Sequence, residues 1–185
     1  PLTVSQQRLW FLNKYEDGNE FKYNLPMLIQ VSGKIDPICL EKTIHTICLK
    51  HQALRTTFFA KGNSVQQIIH DDIQLHIPTK EFSGSLKDEM ITAQIKKPFD
   101  LQFGPLIRVT LLTEKGNPRN CYILIVMHHI VSDGWSCNIL FHEISEIYSA
   151  LIAKKTTAVE QLKIQYSDIA LAEAKAQNSK QTKQS

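Results

Sequence analysis

Residues 121–153, CYILIVMHHIVSDGWSCNILFHEISEIYSALIA, decide how this chain folds, because their hydrophobic period changes in the middle. The first seven, 121–127, are apolar and largely β-branched without alternation, the pattern of a strand covered on both faces. From Trp135 onward, Leu140, Ile144, Ile147, Tyr148 and Leu151 recur at three- and four-residue spacing, which makes one stripe on a helix. Between strand and helix lies a short loop carrying His128, His129, Ser132, Asp133 and Gly134. A loop held by two rigid elements is where reactive side chains are best positioned.

Upstream, the pattern predicts a second strand at 106–113 that pairs with 120–127 across the polar connection EKGNPR. A helix over 5–15, with Thr3 or Ser5 as cap and Leu9, Trp10 and Leu12 for burial, leads into an extended segment at 24–32. Asp36-Pro37 then supplies a cap and a first-turn proline for a helix reaching about Gln52, with Leu40, Ile44, Ile47, Cys48 and His51 on one face. Strands at 55–61 and 64–70 join at Gly62-Asn63 as a hairpin, a third short strand is expected at 73–78, and a helix at 86–97 starts from Ser85 and stops at Pro98. Hairpins mixed with crossover helices imply an α/β layered domain with a mixed sheet. From Ala176 the residues AQNSKQTKQS are polar and are expected to fray or to be a cut linker.

Composition narrows the partners. The 185 residues suffice for one ordinary domain, and the net charge of +3 arises from 21 basic and 18 acidic residues without a like-charged block. A nucleic-acid footprint is therefore not expected. No apolar run approaches the roughly 20 residues of a membrane helix, and PLTVSQQRLW lacks the basic and apolar parts of a secretory leader. The expectation is a soluble, cytoplasmic chain without membrane contact. Cys39, Cys48, Cys121 and Cys137 form no C-x-x-C pair and fit free thiols in a reducing compartment.

Neighbouring side chains on extended backbone point to opposite faces, so His128 and His129 are expected to divide, one toward a cavity and one into packing. The same geometry opposes a metal site built from His128, His129 and Asp133, which would need all three to converge. One imidazole suffices for proton transfer near neutral pH. Asp133 then either orients it or fastens the loop through a buried cation such as an arginine. In the competing reading, a packed histidine stands beside an ordinary helix start, with Asp133 as cap and Ser136 assisting. Gly134 suits a positive φ or a close approach by substrate.

The loop MHHIVSDGWS resembles the HHxxxDG signature of the condensation domains of nonribosomal peptide synthetases, which have the chloramphenicol acetyltransferase-like fold. SQQRLWFL at 5–12, LKHQALRTTF at 49–58, PFDLQFGPLIRVTLL at 98–112 and QYSDIA at 165–170 resemble further motifs of that family in the same order. The resemblance implies an α/β, mixed-sheet, two-layer sandwich, of which this chain matches the N-terminal lobe only, over 1–175, with 176–185 as tail or truncated linker. It implies amide formation between a donor thioester and an aminoacyl acceptor, each carried on a phosphopantetheine arm, with no cofactor bound directly. Partners implied are upstream and downstream peptidyl carrier proteins, an adjoining adenylation domain and the C-terminal lobe of the same domain.

Carried over residue by residue, His129 is the catalytic histidine, and His128 supports the active loop. Asp133 is held by Arg55, while Gly134, Trp135 and Ser136 border the substrate channel, Trp135 chiefly as a packing residue. Lys50 and Gln52 stand where the family usually has Arg and Glu, and Ile169 where it has Tyr. The isolated lobe is expected to fold with little or no activity and to expose an apolar interface. An acyl-coenzyme A transferase of the same fold, or a non-catalytic module that binds carrier proteins, are the other classes the sequence leaves open.

Overall fold

The computed structural model describes residues 1–15, 20–62, 64–84, 86, 88–155 and 162–182. Its centre is a four-stranded sheet of order β1-β6-β5-β4, comprising β1 (Asn24–Ser32), β4 (Thr79–Phe82), β5 (Ile107–Glu114) and β6 (Asn117–His128). β6 is antiparallel to both β1 and β5, while β4 runs parallel to β5, so the sheet is mixed as expected. A separate hairpin pairs β2 (Thr56–Lys61) with β3 (Ser64–Ile69). The apolar run 121–127 is the inner strand of the larger sheet, and all but Tyr122 of it is buried.

Helix starts follow their caps. Thr3 and Gln6 form a reciprocal capping box ahead of α1 (Val4–Tyr15): the Gln6 N–H donates to Thr3 Oγ1 at 3.1 Å and the Thr3 N–H to Gln6 Oε1 at 3.0 Å. Leu9, Trp10 and Leu12 are only half-buried; Gln6 is the buried residue of this helix. Asp36 caps α2 (Pro37–Lys50) by accepting from the N–H groups of Ile38 and Cys39 at 2.8 and 3.2 Å. Leu40, Ile44, Ile47 and Cys48 are buried along α2, whereas His51 falls just beyond it. α2 packs against α4 (Gly134–Ile152), and both contribute to one core with β5 and β6.

Four features depart from expectation. The strand expected at 73–78 falls instead at Thr79–Phe82, because pairing requires a neighbour and β5 offers one in register only from Thr79, opposite Leu111. The connection between β5 and β6 shortens to Lys115-Gly116, with Gly116 at φ +83°, and residues after it enter the strand through a register shift at Thr113/Glu114. Of the polar stretch beginning at Ala176, residues 176–182 continue α5 (Tyr166–Thr182), since Ala, Lys and Gln favour helix without needing an apolar face. α3 (Asp88–Ile95) is shorter than expected. Ser85, Asn63 and residues 183–185 lie outside the described residues.

The far end of α3 is tied to the sheet. Asn24 donates through its amide to the carbonyls of Ile95 and Lys97 at 2.6 and 3.0 Å, and Arg108 reaches those of Gln94 and Pro98 at 3.2 Å each. These are helix-end acceptors that would otherwise lack donors. The Arg108 guanidinium also lies 3.7 Å from the centre of the Phe99 ring, and burial lowers its pKa to about 10.

Candidate functional site

β6 ends at His128, and from there the two histidines separate. His128 is 0% exposed; its Nδ1 accepts from the Ile130 N–H at 3.1 Å, and its Nε2 lies 3.5 Å from the Asn13 amide. The Phe99 ring meets it edge-on at 6.3 Å between centroids. Burial, with a smaller contribution from His129, lowers the His128 pKa to about 4, so this ring is neutral and packed at physiological pH. The loop then folds back over it, with Ser132 Oγ and the Val131 N–H both donating to the His128 carbonyl at 3.1 Å.

His129 faces the other way and is exposed. Its N–H donates to the Tyr23 carbonyl at 2.8 Å, and its Nδ1 lies 2.8 Å from the Ser132 carbonyl oxygen. A carbonyl only accepts, so the proton is on Nδ1 and the neutral ring keeps its lone pair on Nε2. The hydrogen bond therefore sets both ring orientation and tautomer.

Asp133 is engaged locally. Its Oδ1 accepts from Ser136 Oγ at 2.6 Å and from the Ser136 N–H at 2.7 Å, closing the first turn of α4. The Ser136 hydroxyl and N–H, in that order, hold the carboxyl below its ordinary pKa. The ion pair expected with Arg55 does not form. Arg55 donates instead to the carbonyl of His70, which returns a bond from its own N–H to the Arg55 carbonyl at 3.0 Å. A cap three residues away satisfies the carboxylate without recruiting a distant side chain.

Trp135, expected to pack, is 75% exposed. It stands nine residues before the buried Ile144, which at about 100° per residue puts it on the opposite side of α4. Gly134 has no positive φ, and a Cβ there would meet open space, so the backbone does not require glycine.

His129, Asp133 and Ser136 border a cavity of about 520 Å³. Gly134, Trp135 and Arg55 do not line it. The remaining walls come from distant segments that the sequence motifs marked. Gln6 of α1 donates to the Ile130 carbonyl at 3.4 Å, and Gln165 bridges the Lys50 carbonyl and the Gln52 N–H at 3.0 and 3.1 Å. The motifs at 5–12, 49–58 and 165–170 thus meet the histidine loop around one space.

Two lining residues were not anticipated. Glu143 of α4 binds His51 Nε2 at 2.7 Å and Lys50 Nζ at 2.8 Å. The departure from Arg at Lys50 therefore leaves an ion pair in place, and Gln52 Oε1 accepts from Ser167 Oγ at 3.0 Å. His51 and Glu143 are 92 residues apart, and no local spacing announces such a pair. Gln6, by contrast, was readable from the Thr-x-x-Gln capping pattern. Among the described residues no three His, Cys, Asp or Glu side chains gather as a metal site requires, and no helix is long and apolar enough to cross a membrane.

The profile of the Condensation domain family matches residues 1–185. Malpinin synthetase of Mortierella alpina is 33% identical over 175 residues, which cover 92% of this chain and 2% of that protein. Among solved structures, the X-domain in its complex with OxyB from teicoplanin biosynthesis superposes with a TM-score of 0.87 at 23% identity, covering 98% of this chain and 39% of that one. The starter condensation domain of rhizomide synthetase gives a TM-score of 0.83 at 22% identity, over 100% of this chain and 45% of that one. The chain thus spans less than half of the solved chains it resembles and a small fraction of its curated relative.

Proposed function

The chain belongs to the Condensation domain family, and on that premise we propose that it is the N-terminal lobe of a nonribosomal peptide synthetase condensation domain. In this reading the domain joins a carrier-bound acyl or peptidyl thioester to a carrier-bound aminoacyl group. Its catalytic residue is His129. The supporting observation is the His129 imidazole at the cavity, with Nδ1 committed to the Ser132 carbonyl and Nε2 left as an acceptor, whereas the other lining histidine, His51, has its Nε2 bound to Glu143.

The amine of the acceptor attacks the thioester carbonyl carbon; a C–N bond forms as the C–S bond breaks. The leaving sulfur takes up one proton and the amide nitrogen gives one up, so amide and thiol are the products. Nε2 of His129 orients the amine N–H before attack and accepts its proton afterwards. His128 holds the loop from below, and Asp133 with Ser136 fixes where the loop becomes helix. Arg55 secures the turn before β2 to the end of β3, and Gly134 and Trp135 lie on the approach to the cavity. Both substrates arrive on phosphopantetheine arms, so the carrier proteins, an adenylation domain and a second lobe are the partners.

The cavity is open, and in this proposal the second lobe completes it. The 185-residue chain mixed with donor- and acceptor-loaded carrier proteins is expected to yield no amide by mass spectrometry, whereas the chain extended through its second lobe yields it. Product from the short chain would overturn the half-site reading. Absence of product from the extended one would overturn condensation itself.

A further inference from the structure

We infer that Gln6 and Asn13 of α1 are positioning residues for His129, acting through the backbone of Ile130, an inference that rests on the condensation reading and adds the side chains that hold its loop. Three consecutive residues of that loop are each tied to residues 1–23. The His128 ring meets the Asn13 amide through Nε2 at 3.5 Å, the His129 N–H donates to the Tyr23 carbonyl at 2.8 Å, and the Ile130 carbonyl accepts from Gln6 Nε2 at 3.4 Å. Gln6 and Asn13 are seven residues apart, so at about 100° per residue they share one face of α1. Leu9 and Trp10, between them on that face, pack against the core.

Hydrogen-bonding roles decide which atoms meet. The Ile130 N–H donates to His128 Nδ1 at 3.1 Å, so Nδ1 carries a lone pair and the one proton of the neutral ring is on Nε2. Asn13 turns Nδ2 to that N–H, donor against donor; half a turn about χ2 puts Oδ1 in the same place. Amide oxygen and nitrogen are told apart by their hydrogen bonds, so Oδ1 is the atom the contact requires. Ile130 is then held on both sides from α1, its N–H through the His128 ring and its carbonyl through Gln6. Gln6 is itself fixed: it is 2% exposed, its Oε1 accepts from the Thr3 N–H at 3.0 Å and its N–H donates to Thr3 Oγ1 at 3.1 Å. Each loop contact is long and weak singly, and two on one rigid helix act together. Ile130 lies between His129 and the Ser132 carbonyl that binds His129 Nδ1. Released from α1, the loop would carry that carbonyl away, and the Nδ1–H tautomer would lose what selects it.

Nitrogen-15 NMR of the histidines in the 185-residue chain at pH 7 tests this, comparing the parent with Asn13→Ala and Gln6→Met. The control is Ile44→Val, a truncation in the core of α2 outside the cavity lining. His129 should be the Nδ1–H tautomer in the parent, and that share should fall by roughly half or more in both α1 variants. Ile44→Val should lower the melting temperature and leave the tautomer alone. Asn13→Asp probes the contact itself: either carboxylate oxygen accepts from Nε2–H and favours the charged ring, so the titration midpoint of His128 should rise from about 4 by about one pH unit or more. Asn13 is only half-buried, so its variants decide the matter even where buried Gln6 tolerates no change. In the extended domain Asn13→Ala should lower kcat for amide formation roughly 10–10²-fold with KM little altered. A His129 tautomer unmoved by the α1 variants, one moved as far by Ile44→Val, or a His128 titration indifferent to Asn13→Asp would each overturn the inference. Tautomer changes as expected, with no amide from the extended parent, would sink the condensation reading alone. Amide from that parent with an undiminished kcat in Asn13→Ala would sink this inference alone.

Discussion

The buried end of β6 and the loop that leaves it hold the same side chain in two environments. His128 is enclosed, neutral and bonded to backbone; one residue later, His129 is exposed, bonded through Nδ1 and open at Nε2. The difference comes from where the strand ends: β6 is covered on both faces through His128, and His129 stands in the turn just beyond it. Identity of residue type therefore says little about role, and position relative to the end of the strand says much.

The strongest way to break this contrast is His129→Ala in the extended domain. The rate of amide formation should fall by about 10²–10⁴-fold while the melting temperature stays within a degree or so of the parent. Retained activity would remove the histidine from the chemistry. His128 is the converse case, a stability residue. Its folded pKa of about 4 lies below the ordinary 6.5, so between those values the unfolded chain binds the extra proton. Stability from this group is complete above pH 6.5 and is lost as pH falls toward 4, by up to about 3 kcal/mol. Urea melts of the parent and of His128→Leu at pH 7 and pH 4 should show that the variant loses this share of the pH dependence; parallel pH profiles would contradict it.

Asp133 sharpens the comparison at smaller scale. As a helix cap, its replacement by Ala should cost about 1 kcal/mol, whereas half of a buried ion pair would cost about 3–5 kcal/mol. A double-mutant cycle of Asp133→Ala with Arg55→Ala should give a coupling near zero, and a coupling above about 1 kcal/mol would restore the pair. Smallest of all, Trp135→Ala should change folding stability by no more than about 0.5 kcal/mol, since the ring is mostly in solvent. A larger loss would mean that Trp135 packs after all.

The elements around the loop were readable because their signals are local. The apolar run of β6, the Asp36-Pro37 start of α2 and the stripe of Leu140 and Ile144 each depend on residues within a few turns of one another. The misplaced strand at 73–78 shows the limit. Its alternation is real, and Ile77 is buried, yet hydrogen bonding starts only where β5 supplies a partner. Arg55 failed for a related reason: the motif identified an arginine without indicating that the His70 carbonyl would take it while Ser136 satisfied Asp133.

By itself, then, the sequence determined the strand–loop–helix around the histidines, their opposite facing and the order of motifs that marks the family. These follow from backbone periodicity, capping and residue type, which act over short range. Tertiary structure alone decided that His51, Lys50 and Glu143 would join, that Gln165 would bind the turn after α2, and that these groups would close around an apolar space at His129. Such contacts connect residues about a hundred positions apart, and their existence depends on how the packed layers bring the chain together.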